Sequence, residues 1–317
     1  MNRVIITGPT GAIGTALIQN LIRKNIEVTA VCRPGSKRIN NIPKSDKVRL
    51  IECDLEQLLS LQDVLTDTYD TFYHFGWGGT FGTARNDMYL QNKNVRCTLD
   101  AVEAAHSLGC KTFIGAGSQA EYGRIDGVLT PETPAFPENG YGIAKLCAGQ
   151  MSRVKCKEYG IRHIWTRILS VYGPHDGMAT MVMSTIQKLL NGERPQFTAG
   201  EQEWDYLYSE DAAAMLYALG EKGRDGEIYC LGGGVAKPLR EYIYQIRNVV
   251  SPGSELEIGD IPYNDKQVMY LCADISKLVQ DTGYVPMFTF EQGIEKTVRW
   301  FIEECNYEKN KYVNTML

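Results

Sequence analysis

Residues 3–22 read RVIITGPTGAIGTALIQNLI and join a short apolar run, a glycine-rich turn and a longer apolar pattern. Residues 4–7 have the length and β-branched composition of a buried strand. After the turn, apolar residues recur at spacings that place them on one face of a helix: Ile13, Leu17, Ile18, Leu21 and Ile22. The stretch therefore predicts a strand, a tight turn and a helix whose apolar face covers a sheet.

The same strand and helix pattern recurs along the first half of the chain. Further runs rich in Val, Ile, Phe or Thr, each followed by a helical pattern, occupy residues 28–32, 48–53, 71–75, 112–116 and 163–168. Such alternation is typical of βαβ units on a parallel sheet. We therefore predict an α/β protein with a Rossmann-type doubly wound parallel sheet and a smaller, mixed C-terminal lobe.

The alternation becomes irregular after Gly173. Helical patterns at 181–190, 209–219 (with Ser209 as N-cap), 239–250 and 290–305 surround one more strand candidate at 227–231. We expect a nucleotide-binding domain over residues 1–172, with a return of the chain at about 205–232. Residues 173–204 and 233–317 should form a substrate-binding lobe, with a loosely held polar tail after Glu304.

Composition excludes several classes of protein. The chain of 317 residues is 44% hydrophobic with a formal charge of -5, which is not typical of a disordered chain or a nucleic-acid-binding protein. No apolar run reaches the length of a transmembrane helix, and the N-terminus lacks a signal-peptide pattern. Nine cysteines without a Cys-x-x-Cys pair, and four histidines without ligand spacing, predict a reduced, cytoplasmic protein without a metal site.

The glycines of TGPTGAIG have the spacing of a dinucleotide-binding loop. Gly8, Gly11 and Gly14 follow the first strand and open the first helix. Glycine there permits a tight turn, a close approach of a pyrophosphate to the helix N-terminus, and close packing of helix on strand. A nicotinamide dinucleotide is therefore the expected cofactor.

The end of the second strand predicts which dinucleotide is bound. A carboxylate usually accepts the ribose 2'-hydroxyl of NAD at this point, but Cys32 occupies the position and Arg33, Lys37 and Arg38 follow it. NADP(H) is favoured and NAD is the alternative. Asp54, at the end of the third strand, is a candidate acceptor for the adenine amino group.

Tyr141 and Lys145 in YGIAK stand one helical turn apart, so both side chains leave the same face of a predicted helix. A nearby ammonium lowers the pKa of a phenol toward the working range of a general acid or base. The pair therefore predicts proton transfer by Tyr141.

Together these stretches resemble the short-chain dehydrogenase/reductase superfamily, in particular its extended, NAD(P)-dependent epimerase/dehydratase branch acting on nucleotide sugars. Matching segments include TGPTGAIG, YHFGWGG at 73–79, NKNVRCTLDAVEAA at 92–105, GAGSQAEYG at 115–123, YGIAK and RILSVYGPHD at 167–176. The resemblance implies that Ser118 is the third catalytic residue, beside Tyr141 and Lys145. It also implies cofactor contacts from Thr10, Ala12, Ile13, Leu55, Phe75, Gly76, Trp77, Asn94, Ala116, Ile168 and Ser170, in addition to the residues above.

Departures from the family pattern select among its reactions. Dehydratases place Asp and Glu after the hydroxyl residue, whereas this chain has Gln119 and Ala120. Relatives of GDP-fucose synthase have a cysteine where Ala120 stands. The C-terminal segments resemble CDP-abequose synthase and kindred NADPH-dependent 4-ketoreductases, so we expect reduction of a sugar C4 ketone.

Two alternatives to the reductase stay open at this point. One is a nucleotide-sugar 4-epimerase with tightly held NAD, because generic epimerases share many of the same motifs. The other, more remote, is a sensor or scaffold that binds NADP without turnover. The resemblance further implies a homodimer formed by the two helices at 85–105 and 141–157.

Overall fold

The computed structural model describes residues 1–265 and 267–304. The strands of the main sheet are β1 (Arg3–Thr7), β2 (Glu27–Cys32), β3 (Val48–Glu52), β4 (Thr71–His74), β5 (Thr112–Ser118), β6 (Arg162–Ile168) and β11 (Glu227–Leu231). The shorter strands are β7 (Ser170–Tyr172), β8 (Gln196–Phe197), β9 (Glu203–Trp204), β10 (Tyr206–Tyr208), β12 (Lys237–Pro238), β13 (Glu257–Ile258) and β14 (Tyr270–Leu271). The helices are α1 (Ala12–Arg23), α2 (Leu61–Val64), α3 (Met88–Ser107), α4 (Gly140–Tyr159), α5 (Met181–Leu190), α6 (Ser209–Lys222), α7 (Leu239–Val250), α8 (Ser276–Thr282) and α9 (Phe290–Glu304).

The seven long strands form one parallel sheet in the order β11-β6-β5-β4-β1-β2-β3. From β1 the chain proceeds outward to β3, and it then returns to β4 on the other side of β1 and proceeds outward again. The reversal between β1 and β4 leaves a crevice at the carboxyl ends of these strands, where such sheets bind ligands. The α/β doubly wound fold predicted from the sequence is confirmed.

Helices cover both faces of this sheet. On one face α1 packs beside α6, and their apolar residues join those of β1 and β2 in one core that includes Val4, Leu17 and Leu216. On the other face α3 packs beside α4, over a second core that includes Ile5 and Phe113. Alternate residues of β1 thus enter opposite cores, as the two-residue repeat of a strand requires.

The C-terminal part is a smaller cluster in which α7 packs against both α5 and α9 around a third apolar core. Two buried carboxylates fasten its loops. Asp205 accepts the backbone N–H of Gly234 and Ala273, at 3.1 and 3.0 Å. Asp211 accepts the hydroxyl of Tyr284 at 2.7 Å and the backbone N–H of Phe288 at 3.0 Å.

Most of the predicted elements are present, and some bounds differ. Helices at 181–190 and 239–250 and the strand at 227–231 have the predicted limits, and that strand pairs with β6. Ser209 is the first residue of α6 and not its N-cap, which is Tyr208 without a side-chain hydrogen bond. Cys305 and the predicted tail lie outside the described residues.

Within residues 1–265 and 267–304, no helix combines the length and the apolar character that crossing a bilayer requires. The same part of the chain holds no group of three His, Cys, Asp or Glu side chains placed to bind one metal ion. The division into a nucleotide-binding domain and a substrate-binding lobe stays a prediction.

Candidate functional site

The glycine loop lies at the crevice between β1 and β4. Gly8 has a φ of +69°, and a Cβ there would lie 2.8 Å from the carbonyl carbon of Phe75. A Cβ at Gly14 would overlap the Gly8 carbonyl oxygen, whereas one at Gly11 would meet no atom within 4 Å. The loop is therefore packed closely on β4 and α1, and its middle glycine is open to a ligand.

The first turn of α1 can receive an anion. The helix begins at Ala12, its N-cap Gly11 makes no side-chain hydrogen bond, and its first turn carries no acidic residue. Uncapped N–H groups and the positive end of the helix dipole favour a phosphate at this point. The loop and helix start thus fit the pyrophosphate of a dinucleotide.

A cleft of about 420 Å³ lies in front of the loop. Eight of the residues predicted to bind the cofactor line it: Gly8, Thr10, Arg33, Asp54, Leu55, Gly76, Trp77 and Asn94. Arg38, one of the cations that favoured NADP(H), lines it as well, together with residues that were not predicted to contact the cofactor, among them Pro9, Ser36, Glu56 and Lys93. The cleft wall after β2 therefore carries two arginines and a serine hydroxyl, beside the buried Cys32.

The other predicted cofactor residues lie outside the lining of this cleft. Ala12 and Gly14 are buried in α1, while Ile13, Phe75 and Ile168 pack against the first core. The Ala116 carbonyl accepts a hydrogen bond from Lys145, and the Ser170 hydroxyl accepts one from Trp204 Nε1 at 2.9 Å. Their contacts with a cofactor stay predictions.

Two buried amides of α3 shape the loop that follows β4. The Asn94 side chain accepts the N–H of Gly78 and donates to the Gly78 carbonyl, both at 2.9 Å. Gln91 accepts from Trp77 Nε1 and donates to the carbonyls of Gly79 and Ala84, each at 2.9 Å. Trp77 is thereby held between the cleft and α4. Gln91 was not predicted, because a glutamine in a helical pattern carries no signal of what it will contact.

Ser118, Tyr141 and Lys145 converge where β5 ends and α4 begins. Ser118 is the last residue of β5, and Tyr141 and Lys145 lie in the first two turns of α4, whose N-cap Asn139 accepts the Gly142 N–H at 2.9 Å. The Ser118 hydroxyl also accepts the Ala120 N–H at 3.2 Å, so it caps a short 3-10 turn. The three residues predicted to be catalytic are therefore neighbours.

Lys145 is buried between Trp77 and β5. Its ammonium donates to the Ala116 carbonyl at 2.6 Å and lies 3.7 Å from the centre of the Trp77 ring, but 5.8 Å from that of Tyr141. Trp77 in turn meets Tyr141 edge to face, with ring centres 6.2 Å apart. The Lys145 ammonium is therefore closer to the indole of Trp77 than to the phenol ring of Tyr141.

Burial sets the protonation of these groups. Desolvation lowers the pKa of Lys145 to about 7, opposed by the charge of Glu121. Desolvation also raises the pKa of Tyr141, against hydrogen bonding to Ser118 and the charge of Arg85, which lower it. The pKa of the neighbouring His74 falls to about 3, because it is buried and faces the Lys145 charge.

Glu121 is the carboxylate nearest in sequence to Ser118, and three protein groups donate hydrogen bonds to it. It accepts the Ser118 N–H at 2.8 Å, Trp165 Nε1 at 2.9 Å and Arg167 Nε at 2.9 Å. Both oxygens of this buried carboxylate therefore already accept hydrogen bonds from the protein. The positions before it carry Gln119 and Ala120, neither of which is an acid or a base at neutral pH.

Comparison with known proteins identifies the family of this chain. Residues 4–232 match the model of the NAD dependent epimerase/dehydratase family. A dTDP-glucose 4,6-dehydratase of Neisseria meningitidis serogroup B (strain ATCC BAA-335 / MC58) is 24% identical over 98% of this chain and 96% of its own. Alignments with other dehydratases of that name, from Shigella flexneri and Escherichia coli, span 53% of the relative.

Solved structures show the same fold. DesIV, a dTDP-glucose 4,6-dehydratase from Streptomyces venezuelae solved with NAD and TYD bound, gives a TM-score of 0.84 at 22% identity over 97% of this chain and 99% of that one. A UDP-N-acetylglucosamine 4-epimerase from Methanobrevibacter ruminantium M1 gives 0.86 at 22% identity over 96% and 99%. The fold, the glycine loop and the match over residues 4–232 lead to one conclusion: this chain belongs to the NAD-dependent epimerase/dehydratase family.

Proposed function

We propose that this protein reduces the C4 ketone of a nucleotide-linked 6-deoxy sugar with NADPH. The observation that supports it is the arrangement around Ser118. A phenol, a hydroxyl and an ammonium converge beside the cleft, while Gln119 and Ala120 stand where dehydratases carry their acid and base. Glu121, the next carboxylate, is held by three donors. Elimination of water therefore lacks its proton carriers, and a ketone to alcohol conversion does not need them.

In this mechanism each side chain has one task. Tyr141 donates its phenolic proton to the developing alkoxide at C4, and the Ser118 hydroxyl donates a hydrogen bond to the same oxygen. Lys145, buried against Trp77, would hold the nicotinamide ribose. The glycine loop and the start of α1 would hold the pyrophosphate. Bound NADPH supplies the hydride.

NADPH is proposed as the cofactor because of the cleft wall after β2. Arg33, Ser36 and Arg38 offer charge and a hydroxyl to a 2'-phosphate, and Cys32 replaces the carboxylate that would repel one. DesIV was solved with NAD, and NAD stays the alternative for this chain.

A nucleotide-sugar 4-epimerase is the second candidate. It uses the same three catalytic side chains, and proteins of this activity share the fold over nearly the whole chain. An epimerase returns the hydride to the same sugar and so keeps its dinucleotide tightly bound. A reductase must exchange its dinucleotide after every turnover.

We also propose a cytoplasmic homodimer with a nucleotide-sugar substrate. The outer face of α4 exposes Ile143, Met151 and Val154 at 52%, 44% and 55%, and Tyr89 on the adjacent α3 is 91% exposed. Apolar side chains in one helical row favour burial against a second copy of the chain.

The assay that tests the function combines the purified protein, NADPH and a nucleotide 4-keto-6-deoxyhexose, and follows consumption of NADPH together with the sugar product. Consumption with one alcohol formed per NADPH supports the reductase. In the matched control, the protein is incubated with a UDP-hexose that carries a 4-hydroxyl group, and no NADPH or NAD is added. Inversion of that sugar at C4, with NAD released on denaturation, would replace the reductase with the epimerase.

A further inference from the structure

Arg85 lies directly against Tyr141. Its guanidinium carbon is 4.4 Å from the centre of the phenol ring, within the range of a cation–π contact, and its Nη1 donates to the Thr80 carbonyl at 3.2 Å. Arg85 is half-buried, and no carboxylate of residues 1–265 and 267–304 forms an ion pair with it. Its charge is therefore directed to the tyrosine rather than to a carboxylate.

The backbone that carries Arg85 is fixed to the start of α4. Residues Gly82–Asn86 form a 3-10 turn, and the Asn86 side chain accepts the N–H of Gly140 at 2.9 Å. Gly140 has no room for a side chain, because a Cβ there would lie 3.0 Å from the Arg85 carbonyl oxygen. Gln91 also holds the Ala84 carbonyl at 2.9 Å. The backbone of Arg85 is thus held against Gly140, the residue that precedes Tyr141 at the start of α4.

Other polar groups meet Tyr141 from three elements. Ser118 comes from β5 and Glu121 from the turn after it, and Lys145 comes from α4, with its ammonium 5.8 Å from the ring centre. His74 of β4 faces Lys145 and is neutral at neutral pH, since burial lowers its pKa to about 3. Trp77 fills the space between Lys145 and the phenol.

The two cations differ in how firmly they keep their charge. Burial lowers the pKa of Lys145 to about 7, so its ammonium is lost over the alkaline range in which a phenol titrates. A guanidinium stays protonated throughout this range. In the cofactor-free protein, Arg85 therefore keeps a positive charge beside Tyr141 at a pH at which Lys145 has lost its own, whereas the sequence pattern assigned this role to Lys145.

We propose that Arg85 is a positioning residue for Tyr141, whose guanidinium holds the phenol ring toward Ser118 and stabilises its negative form. The part of this proposal that concerns turnover rests on the proposed function. The part that concerns the phenol itself is a property of the cofactor-free protein and is tested without turnover.

The first test labels tyrosine with ¹³C at Cζ and follows its NMR signal against pH in the protein without cofactor, with Tyr141→Phe identifying the resonance. Arg85→Gln, which keeps a donor for Thr80, should raise the pKa of Tyr141, and Arg85→Lys should restore most of the difference. Arg96→Gln, on the exposed side of α3, is the control and should leave the titration unchanged. An unchanged Tyr141 titration in Arg85→Gln would overturn the proposal.

The second test measures kcat and KM for ketone reduction against pH. Reduction needs the protonated phenol, so in Arg85→Gln the alkaline limb should move to higher pH, and kcat at neutral pH should fall roughly 3- to 10-fold with little change in KM. A fall in kcat with no shift of the alkaline limb of the pH profile would contradict the proposed effect on the Tyr141 phenol and would show that Arg85 only supports the local structure. If no ketone substrate is turned over by the parent protein, the proposed function fails, and the NMR result still decides on Arg85.

Discussion

Glu121 and Arg167 form an ion pair at 2.9 Å that is almost completely withdrawn from water, with side chains 1% and 4% exposed. The same carboxylate holds the N–H of Ser118 and the indole of Trp165. The pair therefore lies directly beside the carboxyl end of β5, where Ser118 is the last residue. Through the Ser118 N–H, the pair helps to fix the backbone position of Ser118.

Removal of one partner should be costly. Glu121→Ala leaves the Arg167 charge buried and unpaired, and we expect a loss of about 3–5 kcal/mol in the free energy of unfolding. Urea denaturation measures it. Glu138→Ala is the control, since its pair with Arg124 is at the surface, with side chains 40% and 45% exposed, and should cost less than about 1 kcal/mol. Equal losses in the two variants would contradict a structural role for the buried pair.

Tyr141→Phe should abolish most of the proton transfer. We expect single-turnover reduction to fall by roughly 10²- to 10⁴-fold, with NADPH affinity little changed because the glycine loop and Lys145 are intact. The control is Tyr159→Phe, on the same helix, whose hydroxyl donates to Glu103 far from Ser118. Reduction by Tyr141→Phe at the parent rate would show that the acid has been assigned wrongly.

The choice of dinucleotide should depend on the end of β2. The parent protein is expected to bind NADPH at least about tenfold more tightly than NADH, the worth of one charge-assisted hydrogen bond of roughly 1.5–3 kcal/mol. Cys32→Asp combined with Arg33→Asn should invert this order. Fluorescence titration gives both constants. Lys37→Asn, outside the lining of the cleft, should leave the ratio as it is. Equal affinities in the parent protein would refute the preference.

Association of two copies should depend on α4. Val154→Glu places a charge in the exposed apolar row, and sedimentation should then give a species near the chain mass of 35.5 kDa instead of twice that value. Val285→Glu is a matched control, because Val285 is 54% exposed and Val154 55%, but it lies in the C-terminal part. A parent protein that sediments as a monomer would exclude the dimer.

Acid should destabilise the fold partly through His163. Burial lowers the pKa of His163 to about 4, and its Nε2 meets the Ser152 hydroxyl at 2.9 Å. As the pH falls, the unfolded chain binds the proton before the folded protein does. The stabilisation from neutral His163 is therefore present above about pH 6.5 and is lost as the pH falls toward 4, and the loss reaches about 2 kcal/mol at pH 5.

Stability curves measured from pH 7 to 5 check this. The dependence of unfolding free energy on pH should be shallower in His163→Gln by close to one proton. Parallel curves for His163→Gln and the parent protein would contradict the assignment.

The sheet and the glycine loop were predictable because they depend on short-range patterns. Apolar runs of strand length and the spacing of Gly8, Gly11 and Gly14 carry their meaning within a few residues. The residues that support the site, by contrast, could not be predicted from such short-range patterns. Glu121 pairs with Arg167, 46 positions away along the chain. Arg85 contacts Tyr141 across a 3-10 turn that Asn86 joins to the start of α4. Polar side chains with distant partners have no periodic signature, so their contacts appear only in three dimensions.

The seventh strand has a consequence for how the chain acquires its structure. β11 completes the sheet beside β6, yet residues 169–226 lie between them along the chain. A chain still on the ribosome, or cut after residue 172, would present β6 as an open edge with unpaired N–H and carbonyl groups, a template for aggregation. Productive folding must therefore wait for residue 231, and the N-terminal segment should not survive as a separately expressed fragment.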